Sequence, residues 1–164
     1  MRPLSFEKPG VTLQFSATQA SYSMSPKGYL SISSFGYYTF DFVPNRWSGE
    51  RTINDFSSKR SFLLEPKKSS EILQTNTVDE ASTFDLLFRY SSNQKLLSIV
   101  RDSKMTGVAL KLKEPANEVG IEISLSDFYI IQRCLDFAQP FVMGWEALTD
   151  VTHFEEPAET NTEN

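Results

Sequence analysis

Strict alternation of apolar and polar residues is the feature that most constrains this chain. In the segment 11–18 every second residue is apolar, and the residues between them are Thr, Gln or Ser. A period of two residues is typical of a β-strand with one buried face. The pattern recurs at 29–33, 37–42, 59–64, 84–90, 97–99, 108–113 and 119–125. The chain is therefore predicted to contain two blocks of four strands, each an antiparallel meander.

A helix is predicted after each block of strands. Residues 65–74 carry Pro66 near a helix start and indicate a short helix. Ser126 is the predicted N-cap of a second helix, and Pro140 is expected to kink or end it, with a further short helical piece at 141–148. The apolar positions of that helix are Phe128, Ile131, Leu135 and Ala138. The order ββββα, repeated, predicts an α+β fold in which two four-stranded antiparallel sheets are each followed by a helix.

The chain of 164 residues has the length of a single domain. Residues 1–9 contain two prolines and no amphipathic pattern, so we expect a flexible leader there. Residues 10–150 are predicted to form one domain, and the acidic, polar residues 151–164 a disordered tail. No apolar run approaches the roughly 18 residues of a membrane-spanning helix, so no membrane partner is expected.

Few residues suited to catalysis or metal binding are present. The chain has one cysteine, Cys134, and one histidine, His153, which lies in the acidic tail far from any candidate nucleophile. A buried structural thiol and a solvated imidazole are the expected states of these two groups. The seven glycines are scattered and form no phosphate-binding loop. We therefore expect no catalytic residues, no metal, no cofactor and no enzymatic activity.

Charge is distributed unevenly along the chain. Residues 1–113 carry 15 basic and 10 acidic side chains, whereas residues 114–164 carry Arg133 against 11 acidic ones. A basic body with an acidic rear is compatible with a polyanion as partner, because the local field decides such binding. An ordinary solvated surface followed by an acidic tail is the alternative interpretation of the same distribution.

The outward face of the strands carries the candidate binding residues. Exposed tyrosines, hydroxyls and cations on a sheet are what a single-stranded nucleic acid needs, since cations and hydroxyls contact phosphates and aromatic rings stack on bases. On the first sheet the candidates are Lys27, Tyr29, Ser31, Tyr37, Thr39, Arg46, Arg51, Lys59 and Arg60. Those on the second sheet are Arg89, Arg101, Lys111 and Lys113. Arg60 is in phase with the apolar Phe62 and Leu64, so either the strand starts after it or a bulge intervenes.

The C-terminal helix resembles that of the Whirly family. The sequence carries Ser126-Asp127-Phe128, Arg133-Cys134 and the run FAQPFVMGW at 137–145, where the family has a similar FALP-hydrophobic-MGW stretch. The likeness extends over about residues 10–150 as an order of strands. Plant members carry a lysine-rich KGKAAL segment, but the corresponding residues 9–13 here are PGVTL. The chain is therefore most similar to the kinetoplastid mitochondrial branch, whose members bind guide RNA.

This resemblance implies a function and an assembly. It implies a largely sequence-independent, non-enzymatic binder of single-stranded RNA (guide RNA and pre-mRNA) that promotes RNA annealing in mitochondrial RNA editing. It also implies a heterotetramer with a paralogous subunit, in which the helices pack at the centre, and a mitochondrial location. The residues of the helical interface or core would be Phe128, Ile131, Leu135, Phe137, Phe141 and Trp145. The alternatives are an organellar single-stranded DNA-binding protein in genome maintenance or transcription, and a scaffold subunit whose partner does most of the binding.

Overall fold

Strands dominate the computed structural model, which describes residues 2–74, 83–90, 93–101 and 106–145. At residues 83–90, 93 and 101 only the backbone is described. The strands are β1 (Leu4–Lys8), β2 (Val11–Thr18), β3 (Ser21–Met24), β4 (Leu30–Ser34), β5 (Tyr37–Trp47), β6 (Thr52–Asn54), β7 (Arg60–Leu64), β8 (Thr83–Tyr90), β9 (Asn93–Arg101), β10 (Gly107–Glu114) and β11 (Asn117–Ser124). The helices are α1 (Pro66–Gln74) and α2 (Leu125–Met143), and a 3₁₀ turn spans Phe56–Ser58. The predicted α+β class, with a helix after each block of strands, is confirmed.

The strands form two large antiparallel sheets and one hairpin. Sheet 1 has the order β1-β2-β5-β6, with β7 pairing β5 beside β6. Sheet 2 has the order β11-β10-β9-β8. Within the described residues β3 and β4 pair only with each other, so the first block differs from the expected four-stranded meander. We call this pair the β3–β4 hairpin.

Three short strands, β1, β3 and β6, lie where none was predicted. Residues 1–9 were expected to be a flexible leader, but β1 pairs with β2 from Leu4↔Phe15 to Lys8↔Val11. Leu4 and Phe6 alternate with polar residues and pack against the core, which explains the strand despite its flanking prolines. Between the strands predicted at 37–42 and 59–64, three residues form β6 by pairing with the extended end of β5. The expected tail 151–164, residues 75–82 after the predicted helix 65–74, and the end of the helical piece 141–148 lie outside the described residues.

The core is formed by the inner faces of the two sheets, which pack on α2. Sheet 1 contributes a layer of aromatic rings, in which Phe15 packs against Tyr38 and Phe40. Sheet 2 contributes the aliphatic side chains Leu97, Ile99, Val108, Leu110, Leu112, Ile121 and Ile123. The buried side of α2 carries Phe128, Ile131, Leu135, Ala138 and Val142. Alternation along the strands thus places one face of each sheet inside and leaves the other outside.

Helix α2 begins and ends differently from the prediction. Its N-cap is Ser124 rather than Ser126, because the Asp127 amide donates to Ser124 Oγ (3.1 Å) and that hydroxyl donates to the Asp127 carboxylate (2.8 Å). Pro140 lies inside the helix, which continues to Met143. Gly144 then ends it in the left-handed region at φ +77°, where a Cβ would also lie only 3.1 Å from the Ile32 side chain.

Candidate nucleic-acid interface

The outer face of sheet 1 is set by the register of its strands. Side chains that alternate with the core residues line up across the sheet, for example Ser5, Gln14, Asp41 and Ser61. The remaining positions on this side are Glu7, Ser16, Thr18, Tyr37, Thr39 and Leu63, together with Thr12 and Val43, which are fully buried. Hydroxyl and amide groups therefore dominate this face, and charges on it are few.

Tyr37 and Thr39 lie on this outer face, as predicted from the alternation. Tyr37 pairs with Thr18 at the start of β5 and is 40% exposed. Thr39 follows two residues later, opposite Ser16 and Leu63, and is half-buried. The phenol ring and the hydroxyl are thus available to a ligand on the side of the sheet away from the core.

Lys59 also reaches the outer face, but its charge is compensated there. Its ammonium group lies 3.0 Å from the Asp41 carboxylate, which accepts a further hydrogen bond from the Ser61 hydroxyl. A cation that already has a carboxylate partner gains less from a phosphate than an unpaired one. Lys59 is therefore expected to contribute less to phosphate binding than the sequence suggested.

Arg60 faces the interior side of sheet 1, not its outer face. It pairs with Phe42 in register, and its guanidinium lies 3.6 Å from the carboxylate of Glu114 on sheet 2. Lys95 contacts the same carboxylate at 2.8 Å and donates to the Ser61 carbonyl at 3.0 Å. The phase of Arg60 with Phe62 explains this position, and no bulge is needed. Arg60 thus joins the two sheets. The prediction that it lies on the nucleic-acid-binding face of sheet 1 is wrong.

The β3–β4 hairpin carries Lys27, Tyr29 and Ser31. Lys27 lies in its turn, where Gly28 takes φ +81° and the Gly28 amide donates to the Ser25 carbonyl at 2.9 Å. Tyr29 follows and is 70% exposed. Ser31 shares a hydrogen bond of 3.0 Å with Ser23 across the hairpin. Exposed serine hydroxyls continue along the same pair of strands at Ser21, Ser33 and Ser34.

The hairpin is anchored to the end of α2. The Ala20 amide, before β3, donates to the Phe141 carbonyl at 3.4 Å, and the Gly36 amide, after β4, donates to the Val142 carbonyl at 2.8 Å. Carbonyls in the last turn of a helix lack their usual partner four residues on, so these two amides satisfy groups that would otherwise need water. Gly36 must be glycine because a Cβ there would lie 1.9 Å from the Thr18 carbonyl oxygen. The helix terminus therefore holds the base of the hairpin in place.

An apolar cavity of about 390 Å³ lies beside Tyr37, between the hairpin and the start of α1. Its walls are formed by Phe35, Gly36, Tyr37, Leu63, Glu65, Pro66, Lys67 and Met143, so a carboxylate and a cation both line it. Phe35 is an exposed aromatic residue that the sequence-based candidates omit. In the sequence, Phe35 could have been recognised from its position directly before Gly36, between two strands. An aromatic wall with a cation at the rim suits an unstacked base and its phosphate.

Arg46 and Arg51 lie at the other end of β5, with an exposed tryptophan that was not among the candidates. Arg46 pairs with Ile53 of β6, and Arg51 lies in the turn between the strands. Trp47 is 69% exposed at the end of β5. In the sequence, Trp47 could have been recognised as a candidate from its position directly before the turn residues Ser48-Gly49. The 3₁₀ turn adds Phe56, another exposed aromatic side chain.

On sheet 2, Lys111 and Lys113 project outward from β10 and are exposed. Their partners on β11 are Gly120 and the acidic Glu118, so this face carries both signs of charge. Arg89 of β8 pairs with Gln94, and Arg101 of β9 pairs with Val108. The side chains of Arg89 and Arg101 lie outside the described part. The predicted cations whose side chains are described are thus distributed over several surfaces and do not form one basic patch.

The predicted interface residues of α2 separate into two groups. Phe128, Ile131 and Leu135 are buried in the chain's own core. Phe137 is 82% exposed, and with exposed Ile130 and partly buried Cys134 and Phe141 it forms one stripe along the helix. Trp145, after the helix, is exposed. We call Ile130, Cys134, Phe137 and Phe141 the α2 stripe.

Other chemistry finds little support in the described part of the chain. Burial raises the pKa of the Cys134 thiol, which disfavours the thiolate needed for nucleophilic attack. No group of three His, Cys, Asp or Glu residues suitable for a metal occurs within the described ranges. Neither α1 nor α2 is long and apolar enough to cross a membrane. His153 lies outside the described residues.

Comparison with known proteins identifies the fold. The chain is 24% identical over 157 residues to the single-stranded DNA-binding protein WHY2, mitochondrial, of Arabidopsis thaliana, a match that covers 90% of this chain and 65% of that protein, slightly less than two thirds of its length. The solved structure of WHY3 from Arabidopsis thaliana has a TM-score of 0.75 at 16% identity, over 90% of this chain and 92% of its own. The structure of the plant transcriptional regulator PBF-2 has a TM-score of 0.75 at 18% identity, over 96% of this chain and 91% of its own. No family model matches the chain. The fold is that of the Whirly proteins.

Proposed function

We propose that this protein binds single-stranded nucleic acid, DNA in the first place, without catalysing a reaction on it. The observation that carries the proposal is a set of exposed aromatic side chains, Tyr37 and Trp47 on β5 and Tyr29 on the β3–β4 hairpin. Flat rings on an ordered sheet offer stacking surfaces to unpaired bases, which a duplex does not expose. The similarity to WHY2, a single-stranded DNA-binding protein by name, supports the same function.

DNA is preferred over RNA because of the proteins that the chain resembles. WHY2 is named for single-stranded DNA and PBF-2 for transcription, and neither they nor WHY3 are named for guide RNA or RNA editing. The expected role in guide-RNA annealing therefore has no support beyond the missing lysine-rich segment at residues 9–13. A role in organellar genome maintenance or transcription is the better proposal. WHY2 is named as mitochondrial, and we propose that compartment for this chain.

The binding site that we propose combines the hairpin and the start of β5. Tyr29 and Tyr37 would stack on bases, Lys27 would contact phosphate, and Ser31 and Thr39 would donate hydrogen bonds. The cavity beside Tyr37 would accept one base, with Lys67 at its rim. Since these contacts go to the faces of bases and to the backbone, binding would be largely independent of sequence.

Two similarly exposed tyrosines allow a controlled test of this site. We expect Tyr37→Ala to weaken binding of a labelled oligothymidylate by about 1–3 kcal/mol, because one stacked base loses its partner. Tyr129→Ala is the matched control: Tyr129 is 48% exposed but lies on α2, where Arg133 covers its ring. Fluorescence anisotropy measures both affinities. Equal affinities of the two variants and of the wild type would contradict the proposed site.

We also infer that several copies assemble through the α2 stripe. An aromatic side chain as exposed as Phe137, aligned with further apolar groups on one helix, marks a surface that another protein surface covers. The arrangement supports the expected central packing of helices in a tetramer. Whether the partner is an identical or a paralogous subunit is decided by the state of the chain alone, as tested below.

A further inference from the structure

The end of β5 forms a small arm with β6. Beyond its last pair with β2, at Pro44, β5 continues with Asn45–Trp47, which pair with Thr52–Asn54 of β6. The turn is closed by two hydrogen bonds to the Arg51 carbonyl, one from the Ser48 amide (3.1 Å) and one from the Ser48 hydroxyl (3.0 Å). We call residues 45–54 the β5–β6 arm.

One face of the arm is fixed to sheet 1 and presents Trp47 at its end. The Asn45 side-chain amide donates to Thr12 Oγ1 at 2.8 Å, and Thr12 donates to the Asn54 side-chain oxygen at 2.7 Å. Alternation places Trp47 on the same side as Asn45 and opposite Thr52. Its indole is therefore held on an ordered strand while most of its surface remains in water. Such a ring is a preformed stacking surface that loses little entropy on binding.

The other face of the arm carries Arg46 beside a cavity of about 540 Å³. Asp55 lies at the edge of this cavity, but its carboxylate is engaged within the 3₁₀ turn. It accepts hydrogen bonds from the Ser57 amide (3.0 Å) and the Ser58 hydroxyl (2.7 Å). Hydrogen bonds from the hydroxyls of Ser57 and Ser58, and to a smaller extent from their backbone amides, lower the pKa of Asp55. Among the described residues, neither Arg46 nor Arg51 forms an ion pair with a carboxylate. Both guanidinium groups are thus available to an anion.

We propose that the β5–β6 arm is a second contact site for the same single strand, where Trp47 stacks on a base and Arg46 and Arg51 bind phosphates. This inference rests on the proposed function and extends it to residues at the opposite end of β5. The combination of an ordered exposed indole with two unpaired guanidinium groups matches the chemistry of a nucleic-acid strand, which offers bases and phosphates in alternation.

The distance between the two sites gives the proposal a measurable consequence. Tyr37 and Trp47 are the first and last residues of β5, so about 33 Å separates them along the strand. A stacked strand, with about 3.4 Å per phosphate, crosses this distance in about ten nucleotides, and an extended strand crosses it in fewer. A strand of about four nucleotides is too short to engage both ends, whereas one of about 20 nucleotides can.

The experiment compares these two lengths of oligothymidylate on the full chain. For the long strand we expect Trp47→Ala to weaken binding about tenfold, whereas for the short strand, which can still bind at Tyr37, we expect at most about a twofold change. Ile53→Ala, on the same arm but without an aromatic ring, is the matched control. In a Trp145→Phe variant, Trp47 is the remaining tryptophan of the two in the sequence, so quenching of its emission by the long strand reports stacking directly.

The outcomes separate the arm from the proposed function. Length-dependent weakening by Trp47→Ala, together with quenching, supports the arm as a binding site. Tight binding of both strands by the wild type, with no effect of Trp47→Ala and no quenching, overturns the arm and leaves the proposed function intact. Failure of the folded wild type to bind either strand overturns the proposed function and the arm together.

Discussion

Tyr38 shows how a single buried hydroxyl joins the sheet to both helices. Its hydroxyl lies 2.9 Å from the Leu135 carbonyl oxygen and 2.9 Å from the side-chain oxygen of Gln139, which also accepts from Ser69 of α1. Burial, and then the negative charge of Asp136, raise the pKa of Tyr38 well above its ordinary value of 10.0. The folded protein therefore holds this proton more tightly than the unfolded chain does.

We expect this residue to make folding sensitive to alkaline pH. Because the pKa is raised on folding, the contribution is fully present below about pH 10 and is lost as the pH rises above it. Tyr38→Phe should lower the free energy of unfolding by about 1 kcal/mol at neutral pH, since the buried hydrogen bond of its hydroxyl to α2 is lost, and should flatten the alkaline decline. Urea unfolding at neutral pH and above about pH 10 measures both effects. An equal alkaline decline in wild type and variant would contradict this role of Tyr38.

At the level of elements, α2 has two apolar sides with different roles. One side is the centre of the chain's core, and the other is the α2 stripe, with the Arg133–Asp136 pair beside it. Phe137→Glu should therefore abolish self-association without unfolding the chain, because the side chain contributes little to the core. Light scattering with circular dichroism measures both properties. Met24→Glu, at an exposed apolar position outside α2, is the control and should leave the assembly unchanged.

The wild-type result of the same experiment distinguishes the assemblies. A monodisperse homo-oligomer that Phe137→Glu converts to monomers supports packing through α2 between identical chains. A wild-type chain that is monomeric on its own would contradict self-assembly and would favour the paralogous partner expected from the sequence. An oligomer that Phe137→Glu leaves intact would move the interface away from the α2 stripe.

Elements with long alternating patterns could be predicted from the sequence, and short ones could not. The segments of β2, β5, β7 and β10 could be recognised as strands, because a strand with one buried face has an apolar side chain at every second position. Strand β6 has three residues and owes its existence to pairing with β5, which no local pattern encodes. The N-cap of α2 was misplaced by two residues because Ser124 and Ser126 are equally good in isolation. Asp127, three residues after Ser124, decides between them.

For the candidate site, the alternating pattern predicted on which side of the sheet a side chain lies, but not which charged group it contacts. It placed Tyr37 and Thr39 outward and indicated that Arg60 was in phase with the core. It could not show that Asp41 compensates Lys59, because that contact joins residues 18 positions apart. Nor could it show that Glu114, from the other sheet, engages Arg60. Charge compensation depends on tertiary contacts, so the supply of unpaired cations was overestimated from the sequence.

At the scale of the whole molecule, this compensation changes the expected electrostatics of binding. If all the predicted cations contacted phosphates, those contacts would dominate the affinity and salt would weaken binding steeply. Of the predicted cations on sheet 1 and its hairpin, the structure leaves Lys27, Arg46 and Arg51 without a described carboxylate partner. With about 0.7 counterions released per phosphate contact of a single strand, three contacts give a logarithmic salt slope of about −2 for each chain. Stacking, which salt affects little, would supply much of the remaining affinity.

The most direct test of the central claim is a titration of the wild-type chain with labelled strands of one sequence, as single-stranded DNA, as single-stranded RNA and as duplex DNA, at two salt concentrations. We predict that the chain binds single-stranded DNA at least as tightly as RNA, binds the duplex much more weakly, and shows a shallow salt slope. A preference for RNA would restore the guide-RNA interpretation. Equal binding of duplex and single strand, or no binding by a folded sample, would contradict the proposal that this protein binds single strands.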